Sequence, residues 1–275
     1  MKRLFLLCCC LAAAVPFSAR GESLERALRA VTDSVRATVG VAVVFGDGDT
    51  LAVNGGRCYP MLSVCKFHQA LAVLDRLDRR GLPLTTRIPV RRSDLLSGTW
   101  SPLREACPGG GRFTVAELLT YSVAQSDNNV CDVLFRFLGG TEAVDRYIAG
   151  LGIGETVIVA DEEMMHRHTD NQYLNRTTPL AAVRLLELFR RGELLSAAYG
   201  DFLLETMFAT ETGPDKLRGL LPADVAVAHK TGSSDRDGRG VKIADNDIGI
   251  VRLPDGRSYS IAVFAMDSRE DDRTN

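Results

Sequence analysis

The hydrophobic periodicity of this 275-residue chain changes twice, and the change limits the folds open to it. Near the start, Val41 to Phe45 and Leu51 to Val53 flank the turn Gly46-Asp47-Gly48-Asp49, a pattern that predicts a strand hairpin. A helix from Ser23 to about Thr38, with Ser23 as N-cap, is expected before it. From Ser63 to about Met207 the apolar spacing becomes three to four, as in helices. The last 50 or so residues return to strand patterns at Val225 to Lys230, Asp247 to Leu253 and Ser258 to Ala265, with Pro254-Asp255-Gly256 as a turn. The expected fold class is therefore α+β: an antiparallel sheet flanked by helices, formed by both chain ends, with an inserted all-helical domain. Residues 22–58 and 209–275 are assigned to the sheet and 59–208 to the helical domain. The cleft where the two meet is the expected ligand site.

Within the helical stretch, punctuation sets the expected elements. A helix runs from Ser63 to a Gly81 stop followed by Pro83, and Ser93 to Gly111 reads as a surface loop. Thr114 with Glu117 forms a capping box for a short helix to Tyr121. Asn128 to Leu138, Thr141 to Ala149, Thr178-Pro179 to Gly192 and Ser196 to Met207 follow as helices.

A chain that is 45% hydrophobic and 25% charged fits a globular protein with a sizeable core. Its net charge of -2 gives no basis for a nucleic-acid or anionic-membrane partner, so a small molecule is the expected ligand and a monomer the expected state. Residues 1–21 read as a signal peptide: Lys2-Arg3, an apolar run from Leu4 to Phe17, and a small-x-small site at Ala19-Arg20-Gly21, with cleavage expected after Gly21. The run is short for a membrane span and Phe5-Leu6-Leu7 is a poor lipidation box before Cys8, so export to the periplasm without a stable membrane anchor is expected. Cys58, Cys65, Cys107 and Cys131 lack the pairing of a metal motif, and His68, His166, His168 and His229 lack ligand spacing. No metal and no cofactor are expected, and Cys65 and Cys131 are read as buried apolar fillers.

Three segments carry chemistry: Ser63-Val64-Cys65-Lys66, Ser126-Asp127-Asn128 and Lys230-Thr231-Gly232. Together they supply a hydroxyl nucleophile, two amines, a second hydroxyl and a carboxamide, the groups needed to acylate a serine. Lys66 lies one helical turn beyond Ser63, so its amine can reach the hydroxyl. Only five of the 33 basic residues are lysines and two of the five fall in these segments, which suits chemistry that needs an amine with a movable pKa. Among the residues between Gly154 and Thr178, Asp161, Glu162 and Glu163 could each serve as a general base.

These segments, with Tyr59-Pro60-Met61-Leu62, Phe67-His68-Gln69-Ala70-Leu71, Thr99-Trp100-Ser101-Pro102, Gln125 before the Ser126 segment and Ala228-His229 before Lys230, resemble the class A serine β-lactamases, and most nearly their cephalosporinase branch. The resemblance runs from about Glu22 to the chain end. It implies hydrolysis of the β-lactam ring, with Ser63, Lys66, Ser126 and Glu162 catalytic and Asn128, Lys230, Thr231, Gly232, Ser233, His166 and Lys216 binding substrate. It also implies an oxyanion hole from the amides of Ser63 and Ser233. His166 stands where most relatives have Asn, and Lys216 where they often have Arg, which alters hydrogen-bond chemistry at both places. A penicillin-binding DD-peptidase or a non-hydrolysing β-lactam sensor shares part of this kit, and the deacylating carboxylate separates them. The family closes its sheet with a C-terminal helix, whereas Arg269 to Asn275 is polar, so an uncovered sheet face and a truncated chain are expected.

Overall fold

In the computed structural model, residues 17–219 and 221–274 are described. The expected signal peptide, residues 1–21, falls largely outside them, as do Cys8 to Cys10. Helix α1 spans Phe17–Thr32, and the hairpin strands are β1 (Thr38–Phe45) and β2 (Thr50–Val53). Ser23 therefore lies inside the first helix rather than at its cap, and Thr38 opens a strand. Strand β3 (Tyr59–Pro60) leads into a 3-10 turn at Leu62–Val64 and then α2 (Cys65–Arg80), which Gly81 ends in a left-handed conformation.

The expected loop from Ser93 to Gly111 is more structured than its Gly, Pro and Ser content suggested. Strand β4 (Arg87–Arg91), helix α3 (Pro102–Ala106, capped by Ser101) and β5 (Gly110–Thr114) form a small lobe, β4 pairing with β5 from Arg87 opposite Thr114 to Arg91 opposite Gly110. The Thr114–Glu117 capping box opens α4 (Val115–Leu119), which widens into a π-turn at Thr120–Ala124. Helices α5 (Asn128–Leu138), α6 (Thr141–Gly150) and α7 (Glu162–Arg167) follow, then β6 (Arg176–Thr177), α8 (Pro179–Arg190, capped by Thr178) and α9 (Ala197–Phe208). The last strands are β7 (Ala226–Ser233), β8 (Lys242–Arg252) and β9 (Ser258–Ser268). Both β7 and β8 exceed their expected lengths on the side of the site. The stretch Ala244-Asp245-Asn246 falls before the expected strand start at Asp247 because its polar side chains hide their strand character, yet all three are buried.

The main sheet has the order β2-β1-β9-β8-β7, antiparallel throughout, so strands from both chain ends interleave at its centre. Alternation divides its faces. Ala42, Val44, Ile248, Ile250, Ala262 and Phe264 point into the core shared with α2, α5 and α8. Val41, Val43, Tyr259, Ile261 and Val263 point the other way, into a cluster with Leu24 and Leu28 of α1. The expectation of an uncovered face is thereby corrected, because these outward residues are no more than 8% exposed. With both faces covered, the strands carry near-continuous apolar runs.

Phe264 joins the sheet to the segment that precedes Ser63: it is fully buried and its ring lies 5.8 Å from that of Tyr59. Phe264→Ala is expected to cost about 3 to 5 kcal/mol by removing this contact and leaving a cavity. Urea denaturation of the variant measures it, and a loss under about 1 kcal/mol would contradict the packing described.

Candidate active site

The end of β7, the turn before α2, the turn before α5 and the start of α7 converge on the Lys66 amine. Lys66 is completely buried, and its Nζ lies 2.8 Å from Ser63 Oγ, 2.6 Å from Asn128 Oδ1, 3.0 Å from the Ser126 carbonyl and 2.8 Å from Glu162 Oε1. An ammonium has three protons for these four acceptors, so one contact is always purely electrostatic. Burial works to strip the proton from Lys66, but the Glu162 carboxylate and the neighbouring Cys131 and Cys65 outweigh it and hold the amine above the usual lysine range. Glu162 Oε1 is itself buried and has no partner besides Lys66 among the described residues.

Each partner is fixed by its own local structure. Leu62 and Ser126 both hold positive φ angles, 46° and 59°, a cost of about 1 to 3 kcal/mol each that the surroundings must sustain. Asp127 does much of this at Ser126: its buried carboxylate accepts from Ser101 Oγ, Leu103 N and Val130 N, which ties the α3 lobe to the start of α5. Asn128 donates to Thr99 Oγ1 at 2.8 Å. On the other side, Asn246 Nδ2 donates to the Pro60 and Met61 carbonyls and binds β8 to the chain before Ser63. A Cβ on Gly232 would stand 2.4 Å from Met61 O and 3.2 Å from Ser63 N, so only glycine lets β7 approach this closely.

Lys230, also fully buried, donates to Ser126 Oγ at 3.0 Å and to the Thr231 carbonyl at 2.9 Å. Burial and the charge of Lys66 pull its pKa down to about 7. Thr231 and Thr212 share a hydrogen bond of 2.6 Å between their hydroxyls. Lys216 donates to Ser233 Oγ at 2.7 Å and to Asn246 O at 3.1 Å, and pairs closely with Asp245, so its three protons already have acceptors. Asp245 also takes Lys242 at 2.9 Å. A cavity of about 440 Å³ opens over this ground, lined by Ser63, Ser126, Asn128, Thr231, Ser233 and the half-exposed Trp100, among others.

The carboxylate loop is anchored separately. Asn175 Oδ1 accepts from Val159 N and Ala160 N, and Asp145 accepts from Ile158 N. Asp132 of α5 accepts from the backbone amides of Glu162 at 2.7 Å and Glu163 at 3.0 Å. Burial and the nearby Glu162 charge push the Asp132 carboxyl up to about 7. Of the three candidate acids, Glu162 alone reaches Lys66; Asp161 caps α7 by accepting from Met164 N, and Glu163 pairs with Arg167 at the surface. His166 is brought to a different place than the Ser63 cleft. It is exposed on α7 and lines a smaller cavity of about 120 Å³ with Glu162, Asp132 and Thr99.

Sequence reasoning passed over Asp132, Asp245, Lys242 and the buried pair His229 Nδ1 to Asp247, 2.9 Å apart behind Lys230. Asp132 alone left a signal, four residues beyond Asn128 on one helical face. The structure also brings the thiols of Cys65 and Cys131 together with the Glu162 carboxylate, the three ligand atoms lying within 4.8 Å of one another. Chain spacing could not indicate that cluster, since its members come from α2, α5 and α7.

The sequence pattern of the beta-lactamase enzyme family matches residues 23–275. A beta-lactamase of Bacteroides uniformis is 45% identical over 254 residues, covering 92% of this chain and 86% of that protein. The extended-spectrum beta-lactamase PER-1 of Pseudomonas aeruginosa is 42% identical over 260 residues, covering 94% and 84%. Among solved structures, the TLA-3 extended-spectrum beta-lactamase superposes with a TM-score of 0.90 at 46% identity, over 91% of this chain and 92% of that one. An antiparallel sheet threaded by both chain ends, a serine and a lysine 2.8 Å apart beneath it, and kinship of this extent lead to one conclusion: the chain belongs to the class A serine β-lactamases and hydrolyses the β-lactam ring.

Proposed function

We propose that the enzyme opens cephalosporins through a covalent acyl-enzyme on Ser63, with Lys66, Ser126 and Glu162 moving the protons. The observation that carries this reading is the position of Lys66 Nζ, 2.8 Å from the Ser63 hydroxyl and 2.8 Å from the Glu162 carboxylate. Lys66 passes a proton to Glu162 and with its freed lone pair takes the one on Ser63, whose oxygen then attacks the lactam carbonyl. The amides of Ser63 and Ser233 stabilise the oxyanion. Ser126 gives its proton to the departing lactam nitrogen and regains one from Lys66, 3.5 Å away, which in turn takes back the proton held by Glu162 and restores the carboxylate; the contact of Ser126 with Lys230 at 3.0 Å supports that task. Glu162 then deprotonates a water that hydrolyses the ester, so that the net reaction adds one water across the ring C–N bond. A carboxylate so placed favours hydrolysis over the single acylation of a DD-peptidase or sensor.

In this reading Lys230, Thr231 and Asn128 receive the substrate carboxylate and side-chain amide, and Gly232 lets the ligand lie along β7. Lys216 serves from behind, because its protons are held by Ser233, Asp245 and Asn246. His166 acts from the outer cavity on the water beside Glu162. The cephalosporin preference is supported by the extended-spectrum relatives. Export to the periplasm, with cleavage after Gly21, is supported by the basic start and apolar run of residues 2–17. No helix among the described residues is long and apolar enough to cross a membrane.

Three outcomes are expected. Glu162→Gln lowers steady-state turnover on the order of 10²-fold or more and leaves a one-to-one acyl adduct visible by mass spectrometry, whereas unchanged turnover would remove Glu162 from its role. Because kcat/KM reports the free enzyme and Lys230 is charged only below its pKa of about 7, kcat/KM falls as pH rises from 6 to 8. In Lys230→Arg that alkaline limb moves out of range, since Arg stays charged. Asp132→Ala releases the amides of Glu162 and Glu163 and is expected to lower turnover about 100-fold, while Asp132→Asn, which keeps one carbonyl acceptor, loses less. Equal losses in the two variants would show that those hydrogen bonds do not position Glu162.

A further inference from the structure

Cys65 and Cys131 are both fully buried, and neither takes part in the proposed reaction. They face each other between α2 and α5, close enough for their thiols to hydrogen-bond, and the Glu162 carboxylate completes a group of three ligand atoms within 4.8 Å. Both sulfurs also lie near Lys66, whose charge they influence. A tetrahedral site with metal–sulfur bonds of about 2.3 Å and metal–oxygen bonds of about 2.0 to 2.2 Å separates its ligands by roughly 3.5 to 3.8 Å. Closing the present group to that size shortens each pair by at most about 1 Å, a shift the two atoms share. Two thiolates select soft and borderline cations over Mg²⁺ or Ca²⁺.

We propose that Cys65 Sγ, Cys131 Sγ and Glu162 Oε1 form a binding site for one thiophilic divalent cation, Zn²⁺ or Cd²⁺, and that filling it inhibits the enzyme. Binding releases two protons, one from each thiol, and water takes the fourth position. The resulting centre has a net charge of -1 (two thiolates and a carboxylate against +2), so the Lys66 ammonium beside it is attracted rather than repelled. The cavity of about 120 Å³ lined by Leu96, Thr99, Asn129, Asp132, Glu162 and His166 gives the ion a way in to the Glu162 carboxylate. Among the described residues Glu162 Oε1 has no other partner than Lys66 to give up. Once bound to the metal it can neither accept the proton of Lys66 nor activate water, so the inhibition rests on the role proposed above for Glu162, whereas the site itself does not.

The experiment is a titration of the reduced full enzyme with Cd²⁺, following bound metal by equilibrium dialysis, the ultraviolet cadmium–thiolate band, and turnover of a chromogenic cephalosporin. One Cd²⁺ per chain is expected to bind with a thiolate band and to lower turnover on the order of 100-fold, reversed by a chelator. In Cys131→Ala, and in Cys65→Ala should the first fold poorly, that uptake and the sensitivity are lost, while the exposed Cys58 and half-buried Cys107 remain as a background. Glu162→Gln weakens uptake by about 100-fold or more, read from dialysis without any activity. Absence of the thiolate band, or inhibition that persists in both cysteine variants, overturns the site. Uptake that needs all three ligands with turnover unaffected keeps the site and overturns the role of Glu162 instead.

Discussion

A buried lysine amine with more acceptors than protons organises this molecule. Lys66 is paired through one atom with a nucleophile candidate from the 3-10 turn that precedes its helix, a carbonyl from the turn before α5 and a carboxamide from the first residue of α5, and a carboxylate from α7. An isolated ammonium in a dry interior is prohibitively unstable, so the three elements stay together only while all of them supply oxygen. That condition explains why so much of the polar structure around it is devoted to holding backbone: Asp127 under Ser126, Asp132 under Glu162, Asn246 under Met61.

The two lysines divide along the same physics. Lys66 keeps its proton because a carboxylate stands 2.8 Å away, while Lys230, equally buried, has Lys66 as a neighbour and Asp247 only at one remove behind the strand. One is therefore a held charge and the other a charge that comes and goes near neutral pH. A substrate carboxylate entering over Lys230 raises its pKa and recovers the charge, so binding and protonation are linked at this position. Lys216 follows a third course, its ammonium shared between Asp245 and Ser233 at the rim.

The sequence was most legible where its chemistry is local. The Thr114–Glu117 capping box, Thr178 before Pro179, Gly81 after α2 and the Ser63 to Lys66 turn all act within four residues, and the structure places each as read. Legibility failed where the partner is distant. The start of β8, before Asp247, escapes a strand reading because Asp245 and Asn246 are strand residues whose buried partners, Lys216 and the Pro60 carbonyl, lie elsewhere in the chain. In the pairing of β4 with β5, β4 alternates buried Ile88 and Val90 with exposed residues but carries Pro89 at its centre, and its partner β5 begins Gly110-Gly111-Arg112 with no alternation to mark it. The choice of Glu162 over Asp161 and Glu163 needed either kinship or coordinates, for the three are chemically alike and only one reaches Lys66.

The protonation state of Lys66 tests this account most directly. The chain has five lysines, Lys2, Lys66, Lys216, Lys230 and Lys242, few enough for each ¹³Cε signal of lysine-labelled enzyme to be assigned by substitution and followed with pH. The account predicts that the Lys66 signal shows no titration between pH 5 and about 9, while that of Lys230 moves near pH 7. A Lys66 signal that titrates below pH 7 would mean that Glu162 does not hold the proton there, and the electrostatic arrangement described would be wrong.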